Sequence, residues 1–130
     1  MIKDMRYKEL FTEAKEILVN AYAPYSGYKV GAAVLTSNGS TFTGVNIENA
    51  TYGATICAER VAMCKAISEG MHDIVAIAIA LEGDEEASPC GICRQFIFEF
   101  GSDVEVIVGT DGDNLKVYSI SELLPNGFRL

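Results

Sequence analysis

The chain has 130 residues, 49% of them hydrophobic, a positive mean hydropathy of +0.19 and a formal net charge of −8 at pH 7. These values fit one globular domain spanning residues 1–130, and they exclude a disordered polypeptide or a two-domain chain. Only ten basic residues stand against eighteen acidic ones, and the densest charge cluster is Glu82-Gly83-Asp84-Glu85-Glu86. That balance argues against gripping a nucleic-acid strand and for a small neutral substrate.

Taken in chain order, helical spacing runs from about Lys3 to Ala21, with Leu10, Ala14, Ile17, Leu18 and Ala21 on one face. Ala23-Pro24-Tyr25-Ser26-Gly27 breaks it into a loop. Val30 to Ser37 reads as a strand, Asn38-Gly39 as a hairpin turn, and Thr41 to Val45 as the returning strand. Asn46 to Ile56 is polar and irregular. A helix from about Cys57 to Glu69 follows, with Gly70 just beyond its end.

The run Ile74 to Leu81, rich in β-branched residues, predicts a strand buried on both faces. At eight residues it is far too short to span a bilayer, so no membrane association is expected. Pro89 or Cys90 opens a helix to about Phe100, closed by Gly101. Val104 to Val108 and Leu115 to Tyr118 are short strands around a turn at Asp111-Gly112-Asp113-Asn114, and Ser119 or Ser121 caps a brief helix before Pro125. Strand–helix–strand alternation in the second half implies parallel pairing, whereas the first hairpin is antiparallel. The expected fold is α/β: a three-layer α/β/α arrangement around a mixed five-stranded sheet.

Four cysteines, one pair of them spaced Cys-x-x-Cys, carry the chemistry. The amino terminus is charged where an export signal would be apolar, so a reducing cytoplasm is expected. There, such thiols favour metal binding or catalysis over disulfides. Cys57-Ala58-Glu59-Arg60 is followed, thirty residues after the glutamate, by Pro89-Cys90-Gly91-Ile92-Cys93. A ligand-x-Glu element followed by Pro-Cys-x-x-Cys is the pattern of a zinc deaminase, with Cys57, Cys90 and Cys93 as ligands and Glu59 placed to move protons. Cys57 and Cys90 both fall at predicted helix N-termini, where the helix dipole favours thiolates.

A structural zinc would need Cys64 as a fourth ligand. Seven helical residues place it about 10 Å along the axis from Cys57, while two sulfurs on one zinc lie at most about 4.6 Å apart. Cys64 is therefore read as a core cysteine and the fourth zinc position as open. A thioredoxin-like pair at Cys90 and Cys93 would leave Cys57 and Glu59 unexplained. Spacing alone does not remove His72, which falls in a turn away from both clusters. Arg60 is read as a hydrogen-bond donor to a ligand sulfur, offsetting the negative charge of three thiolates, against the alternative of pairing with Glu69 or Glu99. Arg94 is ambiguous in the same way.

These blocks resemble the small homotetrameric zinc-dependent cytidine deaminases. The likeness extends in order through Ala23-Pro24-Tyr25-Ser26, Val30-Gly31-Ala32-Ala33, Gly44-Val45-Asn46-Ile47-Glu48-Asn49-Ala50 and the two thiol motifs, the second continuing into Arg94-Gln95, to Leu123-Leu124-Pro125. It implies a pyrimidine-salvage hydrolase with one zinc per subunit. That enzyme converts cytidine or deoxycytidine to the uridine nucleoside and ammonia through zinc-activated water and a Glu59 proton shuttle. It further implies that Asn46 and Glu48 bind the ribose, that the Ala58 backbone meets the base, and that Tyr28 stacks on it where the family commonly has Phe. Ala50, Tyr52 and Phe128 would be contributed by neighbouring subunits. The nearest rival reading is a deaminase of a cytosine-nucleoside-like antibiotic such as blasticidin S, from which the Glu48-containing segment argues away. A polynucleotide-editing deaminase and a non-catalytic zinc module are more distant alternatives.

Overall fold

A computed structural model describes residues 2–130. Helix α1 (Ile2–Ile17) leads into strands β1 (Val30–Thr36) and β2 (Thr41–Val45), then helix α2 (Ala58–Ser68) and strand β3 (Ile74–Leu81). Helix α3 (Gly91–Phe98), strands β4 (Glu105–Gly109) and β5 (Leu115–Ser119) and the short helix α4 (Ile120–Leu123) complete the chain. The strands form one mixed five-stranded sheet in the order β2-β1-β3-β4-β5.

Alternation along the strands builds two cores. Ile77, Ile79 and Leu81 of β3 face one side with Ala32 and Val34 of β1, packing under Ala62, Met63 and Ala66 of α2 and Ile97 and Phe98 of α3. Ala76, Ala78 and Ala80 face the other side and, being small, let Tyr7, Leu10, Phe11 and Ala14 of α1 lie close on the sheet. The three layers are therefore α1, the sheet, and α2 with α3, as the sequence predicts. Among the described residues no helix is long and apolar enough to cross a membrane.

Two details differ from expectation. The first helix does not reach Ala21 as a single element. After Ile17 the chain tightens into a 3₁₀ turn over Leu18–Asn20, and Ala21 is extended, so that Tyr22 can bridge to Ile47. Helical spacing cannot distinguish that tighter turn from a continued helix. The second difference concerns the parallel pairing expected from strand–helix–strand alternation: β2 and β3, which flank α2, are not neighbours in the sheet. β1 pairs antiparallel with both β2 and β3 and lies between them, and only β3 and β4 pair in parallel.

The geometric outcome is nevertheless the same. β2 and β3 run in one direction, and Val45 and Ala80 both sit opposite Gly31 across their ladders. Both chains thus leave the sheet at one edge before entering α2 and α3.

Candidate active site

At that edge Cys57 and Cys90 occupy the N-cap positions of α2 and α3, with extended backbone (φ −72, ψ 152 and φ −69, ψ 167) and side chains that make no cap hydrogen bond. Their sulfurs are free to face each other. The two Sγ atoms lie 3.9 Å apart, and those of Cys57, Cys90 and Cys93 all fall within 4.8 Å of one another. Tetrahedral zinc with bonds near 2.3 Å sets its sulfurs about 3.8 Å apart, so the donor set and spacing fit that ion.

Cys64 belongs to neither the cluster nor the core. It is exposed on the outer face of α2, because Ala62, Met63 and Ala66 take the inward positions. The expectation of a core cysteine there is corrected, although the reason for leaving it out of the ligand set stands. His72 is exposed with its ring edge toward Phe100, at 6.4 Å between centroids, and is not part of the cluster.

Arg60 donates from Nη2 to the Cys57 Sγ at 3.7 Å, and its Nε is buried with no hydrogen-bond partner. Arg94 turns elsewhere: it donates to the carbonyls of Pro89 (2.8 Å) and Leu123 (2.7 Å) and to the Ser88 hydroxyl (3.1 Å), tying the loop before Cys90 to α4. The Cys57 thiol is pulled down to about 5, first by its hydrogen bond with Cys93 and then by Arg60, while the Cys93 thiol is pushed up as the protonated partner. Glu59, 4% exposed in the first turn of α2, has its carboxyl raised, first by burial and next by the negative charge of Cys57.

Glu59, Cys57 and Cys90 line one end of a cavity of about 400 Å³ that also receives Ala58, Asn46, Glu48 and Tyr28. Asn46 is nearly buried and its amide clamps a backbone segment, donating to the Tyr28 carbonyl at 2.7 Å and accepting from the Val30 N–H at 3.0 Å. One N–H and one acceptor position of that amide remain for a ligand. Glu48 accepts from the Tyr25 and Ser26 N–H groups at 2.9 and 3.1 Å and from the Ser26 hydroxyl. These bonds, the hydroxyl first, hold its carboxyl below the usual range. Tyr28 is half exposed at the rim.

Ala50, Tyr52 and Phe128 lie outside this chain's own cavity. All three are exposed; Tyr52 borders a shallow groove with Tyr25 and Glu48, and the Phe128 carbonyl accepts from the Gln95 side chain. Ser26, Thr55 and Ser88 also line the cavity and were not singled out as site residues. Ser26 had a signal, being the last residue of the Ala23-Pro24-Tyr25-Ser26 block. Thr55 and Ser88 had none, because ordinary loop hydroxyls acquire meaning only once the chain is folded.

A three-layer sandwich holding a three-thiol cluster beside a buried glutamate defines a zinc-dependent deaminase architecture. The family model for the cytidine and deoxycytidylate deaminase zinc-binding region matches residues 5–110, and the chain belongs to that family. It is 46% identical over 120 residues to a cytidine deaminase of Halalkalibacterium halodurans, covering 92% of this chain and 91% of the relative. It is 40% identical over 126 residues to one from Sporosarcina psychrophila, covering 95% and 92%. A crystal structure of cytidine deaminase from Burkholderia pseudomallei superposes with a TM-score of 0.86 at 41% identity, covering 92% of this chain and 97% of that one. Family membership and the thiol cluster are together consistent with one zinc per chain.

Proposed function

We propose that residues 1–130 form a single catalytic domain that hydrolyses the 4-amino group of cytidine and deoxycytidine, giving the uridine nucleosides and ammonia in pyrimidine salvage. The observation that carries this reading is a cluster of three thiols, two of which line, with a buried carboxylate, a cavity that also receives an amide and a second carboxylate. Its volume, about 400 Å³, lies in the range of small-molecule sites. The relatives' names point to the same reaction.

In this reading Cys57, Cys90 and Cys93 hold the zinc. Bound there, zinc supplies a Lewis acid that makes water a nucleophile source near neutral pH. Glu59 accepts a proton from the attacking water, places it on N3 of the pyrimidine and carries another to the departing amino group. Its burial keeps the carboxyl raised, closer to the working pH, as proton exchange requires. Arg60 offsets the negative charge gathered on the thiolates. The Ala58 backbone meets the base, Tyr28 stacks on it, and Asn46 and Glu48 take sugar hydroxyls.

Four unpaired thiols suit a reducing compartment, which supports a cytoplasmic location. The exposed positions of Ala50, Tyr52 and Phe128, outside their own cavity, support a homotetramer in which neighbours complete each pocket.

The test is ammonia release and loss of cytidine absorbance by protein carrying one zinc per chain. Turnover of cytidine and deoxycytidine is expected, and Glu59→Gln should keep its zinc while losing roughly 10²–10⁴-fold or more in kcat. Turnover of blasticidin S without cytidine would reassign the substrate, and no turnover of either would leave a zinc-binding module.

A further inference from the structure

Ser26 is joined to two residues that line the cavity with it, to Glu48 through the carboxylate and to Tyr28 through the backbone N–H. Its hydroxyl donates its only proton to Oε2 of Glu48 and accepts the Tyr28 N–H at 3.0 Å. Its own N–H donates to Oε1 of Glu48 at 3.1 Å, beside that of Tyr25 at 2.9 Å. From the other side the Asn46 amide holds the Tyr28 carbonyl. Tyr28 is therefore pinned at both its peptide groups, by Ser26 at the N–H and by Asn46 at the carbonyl.

We propose that Ser26 is a positioning residue for nucleoside recognition: its hydroxyl sets the Glu48 carboxylate and the Tyr28 ring together, so that sugar and base subsites are aligned as one unit.

A serine accepting an N–H two residues ahead is by itself an ordinary loop turn. Here the proton of the same hydroxyl goes to the carboxylate, so its single donor is committed to Glu48 and only one acceptor position is left over. Counting acceptor positions shows the consequence. An ionised carboxylate offers about four; the two backbone donors fill Oε1 and Ser26 takes one on Oε2. One acceptor position remains for a ligand, enough for a single sugar hydroxyl. Glu48 is acceptor-only in this state, held ionised by the same hydrogen bonds. Ser26 thus limits what the carboxylate can read as well as where it sits.

The inference rests on the nucleoside deaminase reading, and its test compares cytidine with 2′,3′-dideoxycytidine, which lacks both secondary sugar hydroxyls. Ser26→Ala in the zinc-loaded protein should raise KM for cytidine roughly ten-fold with kcat within about two-fold of wild type, the pattern of lost uniform binding. The dideoxy analogue should lose less, about three-fold, because only the Tyr28 half of the arrangement affects it. The preference for the hydroxyl-bearing substrate therefore narrows. Ser26→Thr, which keeps the hydroxyl, should retain that preference. Should Ser26→Ala fail to fold, Ser26→Cys, whose thiol donates weakly, carries the same comparison. An active wild type whose preference survives in a folded Ser26→Ala protein, or a loss confined to kcat, overturns the proposal alone. A zinc-loaded wild type inert toward both nucleosides overturns the deaminase reading and this inference with it.

Discussion

The Arg60 guanidinium lies against a sulfur rather than a carboxylate, and the charge of the site gives a reason. Three thiolates around a divalent ion leave one net negative charge, which a cation touching Cys57 offsets. Stability is a poor reason for keeping arginine there, because its Nε is buried with no partner, an omission that costs about 1–3 kcal/mol. The two effects separate in a variant. Arg60→Gln should lower kcat or zinc affinity by about 10–100-fold, while the melting temperature of the protein stays level or rises. Kinetics with zinc titration, read beside a thermal scan, checks this. Unchanged kinetics together with a large loss of stability would make Arg60 a packing residue. The contrast with Arg94 is instructive, since two arginines close to ligand cysteines look alike in sequence. One is spent on a sulfur and the other on two backbone carbonyls. Side-chain direction separates them, and spacing does not contain it.

At the scale of elements, the site depends on how closely α2 sits on the sheet. Gly44 of β2 is the contact that sets this distance: a Cβ there would fall 2.4 Å from the Ala62 nitrogen and 2.7 Å from the Ala58 carbonyl oxygen. Both neighbours are helix backbone and cannot swing aside, so Gly44→Ala must push α2 outward or strain β2. The expected cost is about 1–3 kcal/mol, accompanied by weaker zinc binding, because α2 carries Cys57 at its cap and Glu59 in its first turn. Thermal denaturation with and without a chelator reads both effects; wild-type zinc affinity in the Gly44→Ala protein would show that helix placement tolerates the shift. Much of this layer was legible beforehand. The run Ile74 to Leu81 announced a strand buried on both faces because it is an unbroken apolar stretch rich in β-branched residues. The two thiol motifs announced helix starts because Gly70 and Gly101 mark the ends of the segments that follow them. Strand order was not legible, since the insertion of β1 between β2 and β3 is fixed by long-range pairing that leaves no local trace. The outward turn of Cys64 was missed for a simpler reason: the burial a free cysteine usually prefers lost to three neighbours better placed to fill the core. The Ser26 contacts were also out of reach, because a hydroxyl bridging a carboxylate and an N–H exists only after two loops have met.

For the whole molecule, the proposed assembly would finish each site with residues that lie away from the cavity of their own chain. Glu59, Cys57 and Cys90 line the cavity of their own chain, whereas Phe128 is 64% exposed and Tyr52 is 83% exposed, neither lining that cavity. Large aromatic rings left in water favour burial against a partner, and Tyr22, Ile47 and Ile56, joined to one another by isolated β-bridges, are further exposed apolar side chains. If the proposed assembly places Phe128 of one copy over the cavity of another, the two kinds of residue can be separated between chains. Phe128→Ala assemblies should bind nucleoside weakly, with KM raised about ten-fold or more, and Glu59→Gln assemblies should be inactive. Unfolding and refolding the two variants together creates mixed assemblies, in which a chain with an intact Glu59 can receive Phe128 from a Glu59→Gln neighbour. A fraction of sites should then recover wild-type KM, visible as a second, high-affinity phase in the saturation curve. Were Phe128 to act within its own chain, every chain with Glu59 would still lack the ring, and mixing would add nothing to the sum of the separate activities.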